Sequence, residues 1–151
     1  MIKYLSTLSL AVLLLVIAAG CTKSAPNGSD GIDVDLTALS STMAFAEVSN
    51  ILTKPAAYLG KTIKMSGVYE SEYWDVTGKD YHYVIITDAT SCCPQGLEFI
   101  RDGEHSYPDD YPAKQAHIEV VGVYDSYDEQ GQTYYYLAVS DVVLRVAGDE
   151  P

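Results

Sequence analysis

The chain has 151 residues and carries 21 Asp and Glu against nine Lys and Arg, a formal charge of −12. Nucleic-acid binding depends mainly on Lys and Arg neutralising phosphates, so this balance excludes it as a function. An acidic surface fits cationic partners, metal ions or plain solubility instead.

Residues 1–20, MIKYLSTLSLAVLLLVIAAG, begin with a single cation, Lys3, and continue as an apolar run from Leu8. They close on Ala18, Ala19 and Gly20, immediately before Cys21. That is the order of an export signal with a small-residue cleavage site. Leu8 to Gly20 is 13 residues, short of the roughly 20 needed to span a bilayer; a short anchoring helix is the alternative. The terminal AAGC resembles the lipobox of bacterial lipoproteins, with Ala18 where that family usually carries Leu or Val. The resemblance implies that Cys21 is diacylated and becomes the mature N-terminus. The chain would then be held outside the cytoplasm, on the cell membrane or the outer membrane. Two acyl chains anchor stably where one binds only marginally. Thr22 to Gly31, TKSAPNGSDG, is small, polar and rich in Gly, Pro and Ser. Residues 21–35 therefore read as the lipidated cysteine and a flexible tether. Residues 36–148 read as one domain with a modest core.

The domain opens with one helix. Ser40, Ser41 and Thr42 offer N-caps, and Met43, Phe45, Ala46, Val48, Ile51 and Leu52 form an apolar face; Pro55 stops the helix near Thr53. Gly60 pivots the chain into β structure. Strands are predicted over Thr62–Tyr69, Tyr81–Asp88, Leu97–Arg101, His117–Tyr124 and Thr133–Ser140, with Val142–Val146 continuing or adding a last one. The link DGEHSYPDDYPAKQ reads as a structured loop. An internal echo joins the two long hairpins: GVYES from Gly67 precedes a turn and YHYVIITD, and GVYDS from Gly122 precedes a turn and YYYLAVSD. Convergence of two exposed hairpins and a pseudo-repeat both account for it. Under either, Gly67 and Gly122 mark bends or bulges.

The fold class expected is mainly β: a small five- to six-stranded antiparallel OB-like barrel preceded by one α-helix. PAAYLGKTIKMSGVYE (Pro55 to Glu70) resembles the opening of bacterial OB-fold modules. DATSCCPQGLEFI (Asp88 to Ile100) resembles a motif of uncharacterised exported bacterial OB-like proteins, some with metal-related roles. The chain departs from the OB pattern in lacking a clear helix in the third-to-fourth-strand link and in lacking a basic face.

Once Cys21 is set aside for lipid, Cys92 and Cys93 remain as an adjacent pair, which cannot staple distant parts of the fold. Three readings stand for the pair: a strained, reducible vicinal disulfide; a Zn²⁺ or Cu(I) site with His82, His105 or Glu98; or a turn-fixing structural pair. The absence of a spacer departs from the C-x₂₋₄-C of structural zinc sites. His105, flanked by Asp102 and Glu104, is the histidine best placed by sequence to reach the cysteines. A second candidate site lies at the hairpin tips, where Tyr73, Trp74 and Asp75 face Tyr127, Asp128 and Glu129. OB-type modules bind at that end, and aromatics with carboxylates suit a protein, cationic or small-molecule ligand. Ordinary amphipathic hairpin tips are the plainer alternative. No phosphate loop, nucleophile elbow, catalytic triad or EF-hand loop is present in the sequence. The reading is accordingly a lipid-anchored binding module rather than an enzyme, with metal or thiol chemistry at Cys92 and Cys93 as the alternative.

Overall fold

The computed structural model describes residues 31–88, 90 and 92–139. The signal segment, Cys21, most of the tether and the strand expected at Val142–Val146 lie outside the described residues. Among the described residues no helix is long and apolar enough to cross a membrane.

The fold is mainly β, one six-stranded mixed sheet with one α-helix. The strands are β1 (Val34–Asp35), β2 (Thr62–Trp74), β3 (Lys79–Thr87), β4 (Pro94–Arg101), β5 (His117–Glu129) and β6 (Gln132–Val139). The helix α1 spans Ser41–Thr53. Pairings run in the order β1-β2-β3-β4-β6-β5, and β5 also pairs with β2, so the hydrogen bonding returns on itself. The expectation of antiparallel strands throughout fails at two places. β1 runs parallel to β2 and β4 runs parallel to β6. Parallel neighbours need a long crossover; α1 and its flanking turns supply the first, and the 102–116 link with all of β5 supplies the second.

Residues 33–35, expected to belong to a flexible tether, are docked on the sheet. The Asp33 amide donates to the Thr62 carbonyl, and the Thr62 amide donates back to the Asp33 carboxylate, both at 2.9 Å. Val34 and Asp35 then pair with Ile63 and Lys64. The chain is thus docked on β2 from Asp33 onward, and Asp35 caps a 3₁₀ turn at Leu36–Ala38.

In α1 the Ser40 hydroxyl accepts from the Met43 amide, satisfying one of the free amides of the first turn. Lys54 closes the helix before Pro55. Of the six apolar positions expected to form its face only Val48 and Ile51 are fully buried, while Met43 and Leu52 are exposed. The buried face is one narrow stripe, set chiefly against β4.

Each of the two longest strands changes its antiparallel partner along its length. In β2, Thr62–Val68 pair with β5 and Val68–Trp74 pair with β3. In β5, His117–Val123 pair with β2 and Val123–Glu129 pair with β6. Gly67 and Gly122 stand at these two changes of partner. A Cβ on Gly67 would collide with the Ile85 carbonyl oxygen, and one on Gly122 would lie 2.8 Å from the Ala138 carbonyl oxygen. The echo continues inward: Tyr69 pairs with Val84 and Tyr124 with Leu137, all four essentially solvent-free. The core is completed by Ile63, Met65, Leu97, Phe99, Ile118 and Val120, which alternate along their strands.

Candidate functional site

Two clusters of chemistry-bearing side chains lie at opposite ends of β3. The first lines a cleft of about 380 Å³ beside the β2–β3 and β5–β6 turns. Lys79 Nζ reaches Glu129 Oε1 at 2.7 Å, and the Tyr81 hydroxyl also donates to Glu129, so the two hairpin ends are tied together. The expected apposition of the tips therefore has a physical link.

The tip residues themselves occupy lesser places. Tyr73 and Asp75 are exposed, and Trp74 lies against Tyr81 with ring centroids 5.2 Å apart. Asp128 accepts from the Thr133 hydroxyl at 2.7 Å, a contact within its own hairpin. Tyr127 is different: its hydroxyl lies 3.1 Å from both oxygens of Glu98, inside the cleft.

Glu98 pairs in register with Tyr83 on β3 and Tyr136 on β6, and it is 9% exposed. Among the described residues no Lys or Arg lies within ion-pair distance of it, since Lys79 is engaged by Glu129. A carboxylate offers about four acceptor sites, and Tyr127 supplies one donor. Desolvation therefore raises its pKa from the usual 4.5 to about 7, with the Tyr127 hydrogen bond acting in the other direction.

His82 is the second buried titratable group, at the inner end of the cleft. Its Nδ1 is 2.8 Å from the Tyr69 hydroxyl, and its ring stacks on Tyr111 at 3.8 Å. Phe99 and Tyr107 enclose it further. Burial lowers its pKa from 6.5 to about 4, keeping the imidazole neutral at ordinary pH. Tyr107 and Tyr111 come from the 102–116 link, which is a structured loop as expected. Its hydrogen bonds include Ser106 amide to Asp110 carboxylate and Lys114 Nζ to the Ser71 carbonyl, and Ser71 donates to the Tyr107 hydroxyl. His105 also lines the cleft and hydrogen-bonds the Asp102 carbonyl at 2.9 Å.

The second cluster lies in the β3–β4 turn. Cys92 and Cys93 are exposed free thiols with their sulfurs 3.1 Å apart. Asp88 Oδ1 accepts from the Cys92 and Cys93 amides, and Oδ2 accepts from the Thr90 hydroxyl. The Cys93 thiol is pushed above its usual range by the hydrogen bond with Cys92, by burial and by the Asp88 charge. Six residue steps, along β3 and just past its end, separate His82 from Asp88, a distance on the order of 20 Å. The structure thus divides the expected metal set: His82, Glu98 and His105 share the cleft, while the cysteines have Asp88 as their neighbour.

A wider groove of about 960 Å³ runs between the start of α1 and the β2–β3 edge. Its lining mixes aliphatic residues such as Leu36, Leu39, Val68 and Ile85 with polar ones that include Glu70, His117 and Glu119. No buried titratable group enters it, so convergent polar chemistry belongs to the smaller cleft.

Sequence reasoning did not find Tyr107, Tyr111 or Asp88. The repeated Tyr-Pro step at 107–108 and 111–112 was the available signal for the first two. Comparison with protein-family models gives no match to the chain, and comparison with curated proteins gives none either.

The buried pair makes a pH prediction with opposing signs. Glu98, raised in the fold, adds stability at low pH that is lost as pH climbs from 4.5 toward 7. His82, lowered in the fold, adds stability above 6.5 that is lost as pH falls toward 4. The two nearly cancel between pH 4.5 and 6.5 in the native chain. In Glu98→Gln, urea unfolding is expected to show stability rising by about 2 kcal/mol across that window.

Proposed function

We propose that the chain is an exported lipoprotein, anchored through Cys21, whose β domain binds a positively charged ligand in the Glu98 cleft and catalyses no reaction. The domain is read as an OB-type barrel: five strands, β2 to β6, close on one another through the β2–β5 pairing, the strand number of that architecture. The binding end is then the one formed by the β2–β3 and β5–β6 hairpin tips, where the cleft lies.

The observation that carries the ligand reading is Glu98 itself. A buried carboxylate with one hydroxyl donor and, among the described residues, no ion-pair partner is costly, and a cationic group entering the cleft would relieve that cost. The surrounding rings of Tyr81, Tyr107, Tyr111 and Tyr127 offer cation–π faces. A volume of about 380 Å³ is at the small end for ligand sites, enough for an amine, a guanidinium or one basic side chain of a protein partner. Neutral His82 and the remote thiols supply no nucleophile–base pair at the cleft, so the reading is binding.

Two measurements test these statements separately. Cells fed labelled palmitate should label the chain, and Cys21→Ser should remove the label; a fully labelled serine variant refutes the anchor. Ligand-observed NMR with lysine, arginine, choline, acetate and glucose should show the cations alone binding. Their affinity should rise with pH through about 7 as Glu98 ionises, and Glu98→Gln should lose it by about tenfold or more. Equal binding of neutral probes, or indifference to Glu98→Gln, sinks the ligand reading.

A further inference from the structure

The β3–β4 turn carries a second arrangement, independent of the cleft. Asp88, Cys92 and Cys93 present a carboxylate oxygen and two sulfurs that lie within 4.8 Å of one another. We propose that this turn is a three-ligand site for a borderline-soft divalent cation of the Zn²⁺ class, with a fourth position open to solvent.

The donor set selects the ion. Two thiolates and a carboxylate suit Zn²⁺, which accepts sulfur and oxygen together, whereas Cu(I) favours sulfur alone and Ca²⁺ or Mg²⁺ want oxygen. Three protein ligands with one open position is a recurrent zinc coordination number. The sulfurs are now 3.1 Å apart; with Zn–S bonds near 2.3 Å that separation gives an angle of roughly 85°, against about 3.8 Å for a tetrahedral one. Both cysteines are exposed, so a small rotation of either side chain provides the difference without disturbing the core.

The turn already fixes the carboxylate. Cys92 and Cys93 amides donate to Asp88 Oδ1 at 2.9 and 3.3 Å, which turns Oδ2 toward Cys92 Sγ, 3.5 Å away, with the exposed Thr90 hydroxyl donating to Oδ2 in the place a metal would take. The ends of the turn are clamped by the Thr87–Pro94 pairing and by the Asp88 amide bonding the Cys93 carbonyl. All three ligands therefore come from one short turn between paired strands, and no distant histidine is required. That is how an adjacent cysteine pair, lacking the usual spacer, can still chelate.

The experiment uses the full chain purified from membranes in detergent, reduced and stripped with a chelator. Zn²⁺ is titrated in competition with a chromophoric chelator, and Co²⁺ serves as a spectroscopic stand-in. One Zn²⁺ per chain is expected, with a near-ultraviolet thiolate-to-cobalt band. Cys92→Ser with Cys93→Ser should weaken Zn²⁺ by on the order of 100-fold or more and abolish the band. Asp88→Asn keeps an acceptor for the two amides yet removes the anionic ligand, so an about tenfold loss with unchanged thermal unfolding isolates ligation from turn capping. No Zn²⁺ on the native chain, equal affinity in the double serine variant, or isolation from membranes as a metal-free Cys92–Cys93 disulfide each overturns the proposal. None of these results depends on what the cleft binds.

Discussion

Two strands in this fold must each hydrogen-bond to different partners along their length, and that is possible only where backbones can come unusually close. β2 leaves β5 for β3 at Val68, and β5 leaves β2 for β6 at Val123. The residue just before each change is glycine, with a neighbouring carbonyl in the space a side chain would occupy. Strands of 13 residues are long for a small domain. Bending them at a residue without a Cβ lets one strand line two sides of the core. The return of hydrogen bonding from β5 to β2, and hence the protection of both edges, follows from these two positions.

The same bends set the chemistry. Beyond Gly67 and Gly122 the hairpins run outward together, so their turns meet and Lys79 can hold Glu129. The cleft beneath is floored by β4, the strand that lies between β3 and β6. Glu98 therefore falls among tyrosines of both hairpins, and the loop after β4 folds Tyr107 and Tyr111 over His82. Burial acts with opposite effect on the two groups: the carboxyl holds its proton more tightly and the imidazole sheds its own. The Glu98 carboxyl is thus deep and, among the described residues, without an ion-pair partner.

Much of the architecture was legible because it obeys local periodicities. Alternation gave the five major strands, the Ser40 cap and Pro55 bracketed the helix, and the repeated Gly-Val-Tyr marked both bends. What escaped was non-local. Sequence alone does not report that β4 and β6 run side by side in the same direction, since 102–116 and β5 separate them. Helical spacing overstated the buried face of α1, since Met43 and Leu52 are exposed among the described residues. The fold regroups the candidate residues: His82, Glu98 and His105, expected with the cysteines, lie together in the cleft. An extended strand carries residues apart quickly, and β3 holds His82 in its first half while Asp88 follows its last residue. Tyr127 was named for a hairpin tip, yet its side chain turns inward to the carboxylate.

The role of the two glycines gives the most direct test, because the sign of the effect is diagnostic. Neither glycine has a positive φ, so alanine can adopt the backbone, and an unobstructed Gly→Ala change stabilises by about 0.4–1 kcal/mol through the unfolded chain. The close contacts at Gly67 and Gly122 predict the reverse. Urea unfolding of Gly67→Ala and Gly122→Ala should show each variant losing about 1–3 kcal/mol, as overpacked sites do. Variants as stable as the native chain, or more so, would contradict the account that close backbone approach at these positions shapes the fold.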